Sequence, residues 1–83
     1  MRYLAFTPST DTSQWWAIDD DLVEFCIYPM SDVGWDSEMW QCFAQKRVAF
    51  NEVKEGIGVY ESFEEAVQAC EDYDTTSLLD CFR

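Results

Sequence analysis

The sequence predicts an α+β fold, a small antiparallel β-sheet of about four to five strands packed against one amphipathic helix at residues 62–73. Three observations predict it. Residues 22–28, LVEFCIY, alternate: Val23, Phe25 and Ile27 point to one side, and Leu22, Glu24, Cys26 and Tyr28 to the other. Residues 62–73, SFEEAVQACEDY, place Phe63, Ala66, Val67 and Cys70 at i, i+3, i+4 and i+7, the stripe by which a helix buries one face. The strand-like segments precede the helix and do not interleave with helices as a parallel sheet would require.

Taken in order, residues 3–6 form a short strand-like run, stopped by Pro8 and the polar cluster 9–13. Residues 14–18 are aromatic and β-prone. Asp19, Asp20 and Asp21 break that run, because Asp is depleted in strands and favoured in turns. The strand at 22–28 follows and ends at Pro29, so the Asp triplet becomes the tip of a hairpin. Strand alternation sends Trp15 and Trp16 to opposite faces, so at most one of them belongs to the core. Residues 29–37 read as a loop carrying Gly34 and Trp35. Over 38–53 two patterns compete. Met39, Trp40, Phe43 and Ala44 fit a helical face with Asp36 or Ser37 as its cap. WQCFA also alternates, and the β-formers of 48–53 favour two strands, 39–45 and 48–53. Gly56 and Gly58 mark a turn or bulge before a short strand at 59–61. Ser62 with Glu65 three residues on makes a capping box. The tail TTSLLDCF forms one further turn that docks Leu78, Leu79 and Phe82.

The 83 residues allow one domain, 1–83. A chain that is 48% hydrophobic, with four Trp, four Tyr and six Phe, is not a disordered acidic tail. Seventeen Asp and Glu against five Lys and Arg give a net charge of -12. That balance opposes direct nucleic-acid binding, which needs cations on phosphates, and opposes an anionic membrane surface. A basic protein or a cation is the natural partner. No targeting signal or membrane-length apolar run is visible, so the expected location is the cytoplasm. There, Cys26, Cys42, Cys70 and Cys81 are expected to be free and buried; an even count permits disulfides but assigns no pairing.

Zero His excludes Ser-His-Asp and Cys-His catalysis. GIG at 56–58 lacks the lysine and spacing of a phosphate loop. The DYDTT at 72–76 starts like a calcium loop, but Ser77 replaces the required Gly and Arg83 the closing Glu. The expectation is a non-enzyme with no cofactor and no metal.

Charge distribution carries what remains. Acidic residues gather in three places: Asp19, Asp20, Asp21 and Glu24; Asp32, Asp36 and Glu38; and Glu61, Glu64, Glu65, Glu71, Asp72 and Asp74. The last set spans about 10 Å from Glu64 to Glu71 at helical rise, an anionic rail on the exposed face. Such clusters are ordinarily solvated, and first-turn Glu residues also favour the helix dipole. A charge of -12 nevertheless exceeds the ~2 to 8 that keep a small domain soluble, and it costs stability by self-repulsion. Halophilic adaptation fits poorly with the aromatic and Cys content. The expected partner-binding residues are the acidic Asp19, Asp20, Asp21, Glu24, Glu64, Glu65, Glu71, Asp72 and Asp74, with Trp15, Trp16 or Trp35 as aromatic anchors.

In its size, charge, lack of His and strand-then-SFEEAVQAC-helix organisation over 38–73, the chain resembles phage-encoded inhibitors of host nucleic-acid-binding defences. These include anti-CRISPR proteins, uracil-DNA glycosylase inhibitors and anti-restriction DNA mimics. The resemblance implies an inhibitor, an anti-CRISPR in its sharpest form, that blocks the DNA-binding surface of a Cas effector by acidic mimicry of nucleic acid. It transfers no residue roles. The alternatives are an inhibitor of another DNA-binding enzyme, such as a uracil-DNA glycosylase or a restriction system, and an antidote or regulatory module for a basic protein partner. Either way the chain is expected to be a monomer or a weak homodimer.

Overall fold

A hairpin is what the sequence asks of residues 14–28. The computed structural model of the chain, which describes residues 3–10, 13–33, 39–48 and 50–80 (32, 33, 48 and 77 by backbone alone), contains it. Strand β2 (Trp15–Ile18) pairs antiparallel with β3 (Glu24–Pro29), with Trp15 opposite Ile27 and Ala17 opposite Phe25. The remaining strands are β1 (Thr7–Pro8), β4 (Trp40–Val48) and β5 (Asn51–Tyr60). The sheet order is β1-β2-β3-β4-β5, and each neighbouring pair is antiparallel. Helix α1 (Phe63–Asp72) packs on one face of this open sheet, and a short α2 (Thr76–Asp80) follows. The molecule is therefore the small α+β fold that the sequence predicts. No helix among the described residues is long and apolar enough to cross a membrane.

The core lies between sheet and helix. Val23, Phe25 and Ile27 are fully buried, as the alternation requires, together with Cys42, Ala44, Ala66, Cys70 and Leu78. Three alanines, Ala17, Ala44 and Ala66, let the helix approach the sheet closely. At the other end of the helix Phe63 anchors an aromatic cluster, its ring 5.0 Å from Trp15, 5.3 Å from Trp40 and 6.4 Å from Phe6. Ser62 caps the helix as expected, its Oγ accepting from the Glu65 N–H at 3.1 Å. The helix stops at Tyr73, whose N–H returns to the Cys70 carbonyl, while the Tyr73 hydroxyl donates to Glu55 on β5 at 2.9 Å. Leu78 and Leu79 dock as expected; Phe82 and Cys81 lie outside the described residues.

Three expectations need correction. Residues 3–6 are not a strand. The apolar run instead buries Leu4, whose N–H goes to the Glu71 carboxylate at 3.0 Å rather than to a ladder. The strand lies later, at Thr7–Pro8, and Pro8 is tolerated because β1 is an edge strand with one neighbour. The strand expected from residue 22 starts at Glu24, because Leu22 adopts a left-handed turn conformation with φ of 62°. Finally, the segments expected at 39–45, 48–53 and 59–61 are two long strands of one hairpin. The Gly56 and Gly58 feature, expected as a turn or a bulge, is a bulge within β5. Cys42 pairs with Gly58 and Phe43 with Gly56, which leaves Ile57 as the extra residue.

That bulge decides which side chains face where. Below it, Val53 and Glu55 share the helix side with Lys46 and Ala44; above it, Gly58 and Tyr60 do so opposite Cys42 and Trp40. Val59 is thereby turned to the uncovered face, 43% exposed. Without the extra residue, strict alternation would reverse the two.

Candidate functional site

The Asp triplet is a built turn. The Asp19 carboxylate is directed inward, where Oδ1 accepts from the backbone N–H groups of Asp21 and Val23, each at 2.9 Å. The Asp19 N–H donates to the Val23 carbonyl at 3.1 Å, and the Leu22 N–H to the Asp19 carbonyl at 3.1 Å. Lys46 clamps the tip from β4, its Nζ donating to the Asp21 carbonyl at 2.6 Å. One of the three carboxylates therefore makes the turn, and Asp20 and Asp21 stand exposed on its outside.

The two tryptophans part as alternation requires. Trp15 turns to the helix side and packs on Phe63, so it is a core residue rather than an anchor. Trp16 lies on the uncovered face, 40% exposed. Trp35 lies outside the described residues, as do Asp36 and Glu38; the side chain of Asp32 is likewise not described.

The helical acids do not form one rail. Glu64 and Glu65 are exposed in the first turn of α1. Glu71 is half-buried and holds the N-terminal segment through Leu4. Asp72 accepts from Gln68 Nε2 at 2.8 Å, and Asp74 Oδ1 accepts from the Thr76 N–H at 3.0 Å and its hydroxyl at 2.6 Å. The helix starts beside the end of β5 and finishes against Glu55, nearer the start of β5. Glu64 and Glu65 thus sit at the end of the sheet opposite the Asp19–Asp21 tip, and Asp72 and Asp74 toward the same end as the tip.

The cations are the counterpart. Lys46, Arg47 and Lys54 are the described ones, and all three lie on the β4–β5 hairpin. Arg47 gives Nε and Nη2 to Glu52 Oε2 at 3.2 and 2.8 Å. Lys54 sits 3.9 Å from Glu52 Oε1 and 5.1 Å above the Phe43 ring. These positive charges are taken up within the hairpin and with the tip backbone, leaving the rest of the described surface predominantly acidic.

The uncovered sheet face differs from all of this. Trp16 stands opposite Cys26, Ile18 opposite Glu24, Cys26 opposite Phe43 and Tyr28 opposite Gln41. The Tyr28 and Phe43 rings meet edge to face at 5.9 Å. Charges among its described residues balance, Glu24 and Glu52 against Arg47 and Lys54. Two adjoining depressions open on it. One of about 320 Å³ is lined by Ile18, Leu22, Glu24, Gln45 and Arg47; the other, of about 350 Å³, by Ser9, Gln14, Trp16, Ile18, Glu24 and Cys26. Ile18 and Glu24 belong to both.

Glu24 is the polar centre of this face. Its Oε1 accepts from Gln45 Nε2 at 2.6 Å and from the Cys26 thiol at 3.3 Å. Burial, then the hydrogen bond to Glu24 and its charge, push the Cys26 thiol up to about 12, so it remains a donor; the Lys54 charge opposes this only in part. On the opposite face Cys42 and Cys70 form a buried hydrogen-bonded pair that pushes Cys70 upward, and burial adds to it. The same hydrogen bond draws the Cys42 thiol downward, and Cys26, Cys42 and Cys70 are buried thiols that form no disulfide among the described residues.

Sequence reasoning named Trp16 and Glu24 but did not join them. It missed Ile18, Leu22, Phe43 and Gln45 as parts of one surface. Alternation separates Trp16 from Trp15 and puts Leu22 with Glu24; the cross-strand pairing that brings Trp16, Ile18 and Glu24 together is a tertiary fact. No protein family, curated protein or solved structure matches the chain.

Proposed function

We propose that this protein is a non-catalytic inhibitor that binds the basic nucleic-acid-binding surface of another protein in the cytoplasm, a CRISPR–Cas effector in its sharpest form. The observation that carries the reading is the separation of charge on a domain of net charge -12: the described cations are engaged on one hairpin, and Asp20, Asp21, Glu64 and Glu65 stand exposed elsewhere. A turn whose backbone is already fixed by Asp19 and Lys46 lowers the ordering cost when a lysine- or arginine-lined groove closes on it, and long-range attraction speeds the encounter. Carboxylates then occupy the positions of phosphates, and nucleic acid is excluded by competition.

The test is competition binding between the protein and a nucleic-acid duplex on a purified effector. Duplex should displace the protein, and affinity should fall steeply as NaCl rises from 50 to 500 mM. Co-occupancy of duplex and protein, or binding insensitive to salt, would sink the reading. Charge-reversed Asp20→Lys with Asp21→Lys, set against Glu64→Lys with Glu65→Lys, identifies the end of the sheet that engages.

A further inference from the structure

The geometry points to a receptor groove for an arginine side chain of the partner protein on the uncovered sheet face, formed by Trp16, Ile18, Leu22 and Glu24. This rests on the proposed binding of a basic protein surface and names where that binding is anchored.

Glu24 supplies the first argument. Both of its hydrogen bonds fall on Oε1, and no described residue donates to Oε2. The described guanidinium on this face, Arg47, borders the same depression but gives its Nε and Nη2 to Glu52 rather than to Glu24. A half-buried carboxylate held in position by two donors on one oxygen, with the other oxygen reachable from solvent, is a preorganised acceptor for a cation from outside.

The walls supply the second argument. Trp16, 40% exposed, Ile18, 49% exposed, and Leu22, 72% exposed, border the two depressions that share Ile18 and Glu24. Arginine combines a three-methylene stem that covers apolar surface with a planar guanidinium that stacks on indole and donates to a carboxylate. A purely apolar side chain would cover Glu24 Oε2 without giving it a donor, which is costly, and an acidic one would be repelled. The balanced charge of this face adds no local repulsion against a basic chain, and the Asp20 and Asp21 tip beside Leu22 attracts its neighbouring cations.

The test uses the intact protein, labelled with nitrogen-15, and the capped tripeptide acetyl-Gly-Arg-Gly-amide as probe. Its citrulline analogue, which has nearly the same shape and no charge, is the control. Saturable amide shifts should centre on Trp16, Ile18, Glu24 and Gln45 and include the Trp16 indole N–H, with the citrulline peptide at least five-fold weaker. Glu24→Gln keeps an oxygen for Gln45 and should weaken the arginine probe at least five-fold, with an otherwise unchanged spectrum. Trp16→Leu should do the same. Shifts confined to Glu61, Glu64 and Glu65, equal response to citrulline, or an unaltered Glu24→Gln titration would overturn the groove. If Glu24→Gln weakens the tripeptide while the protein fails to compete with duplex on an effector, the groove stands and the function proposed above falls. The converse result removes the groove alone.

Discussion

Leu22 is the residue at which the chain departs most from its own preferences. A left-handed φ of 62° costs a side chain with Cβ about 1 kcal/mol or more, and the residue is 72% exposed, so burial returns little of it. Leu22→Gly should therefore raise stability, by ~0.5–1 kcal/mol after the extra freedom of glycine in the unfolded chain is subtracted. Urea denaturation reads this directly, and no change or a loss would show that Leu22 packs better than its exposure suggests. The same variant removes one wall of the groove and should weaken partner binding. Cys26 makes a second residue-level prediction. Its thiol is held up to about 12 in the folded state against an ordinary 9.0, so the folded protein keeps a proton that the unfolded chain releases. Its contribution to stability is thus complete below pH 9 and is lost as pH climbs from 9 to 12. Denaturation midpoints should fall between pH 8.5 and 10.5, and Cys26→Ala should flatten that fall. An identical slope in the variant would place the effect elsewhere.

Helix α1 was readable at the level of single residues because everything it needs is local: Ser62 for the first orphan N–H groups and a stripe of four apolar positions. Ser62→Ala should cost about 1 kcal/mol and lower Tm by roughly 4–8 °C, measured by circular dichroism. The β4–β5 hairpin was legible only in part, for a physical reason. Strand patterns speak of alternation, and the extra residue at Ile57 breaks alternation midway, so one ten-residue strand reads as two short ones with glycines between. The glycines belong to that break. A Cβ on Gly58 would lie 2.9 Å from the Tyr60 hydroxyl, so Gly58→Ala forces the Tyr60 ring to move from its place against the core. A loss of about 1–2 kcal/mol is expected. Gly56→Ala, with open space around its Cβ, should change stability less. Equal losses for the two would remove Tyr60 as the cause. The groove was illegible for a related reason: alternation puts Leu22 with Glu24 and sets Trp16 apart from Trp15, but Ile18 meets Glu24, and Gln45 pins it, through cross-strand register alone.

Across the whole molecule, a net charge of -12 is spread over a domain whose described cations share one hairpin. Self-repulsion is therefore a standing cost, and screening should relieve it. Raising NaCl from 50 to 500 mM should increase Tm by several degrees, whereas a protein stabilised chiefly by surface ion pairs would lose stability; calorimetry separates the two. Sheet order also equals chain order. Each new strand finds its partner in the strand made just before it, so the meander closes only short loops and should form quickly. The cover is different, because α1 begins only at Phe63 and the Leu4 to Glu71 hydrogen bond spans 67 positions. During synthesis the five strands are complete while Phe25, Ile27 and Ala44 still face water. For that interval the nascent chain is a sheet with its greasy side bare, and its safety from aggregation depends on how soon α1 and α2 emerge behind it to cover that side.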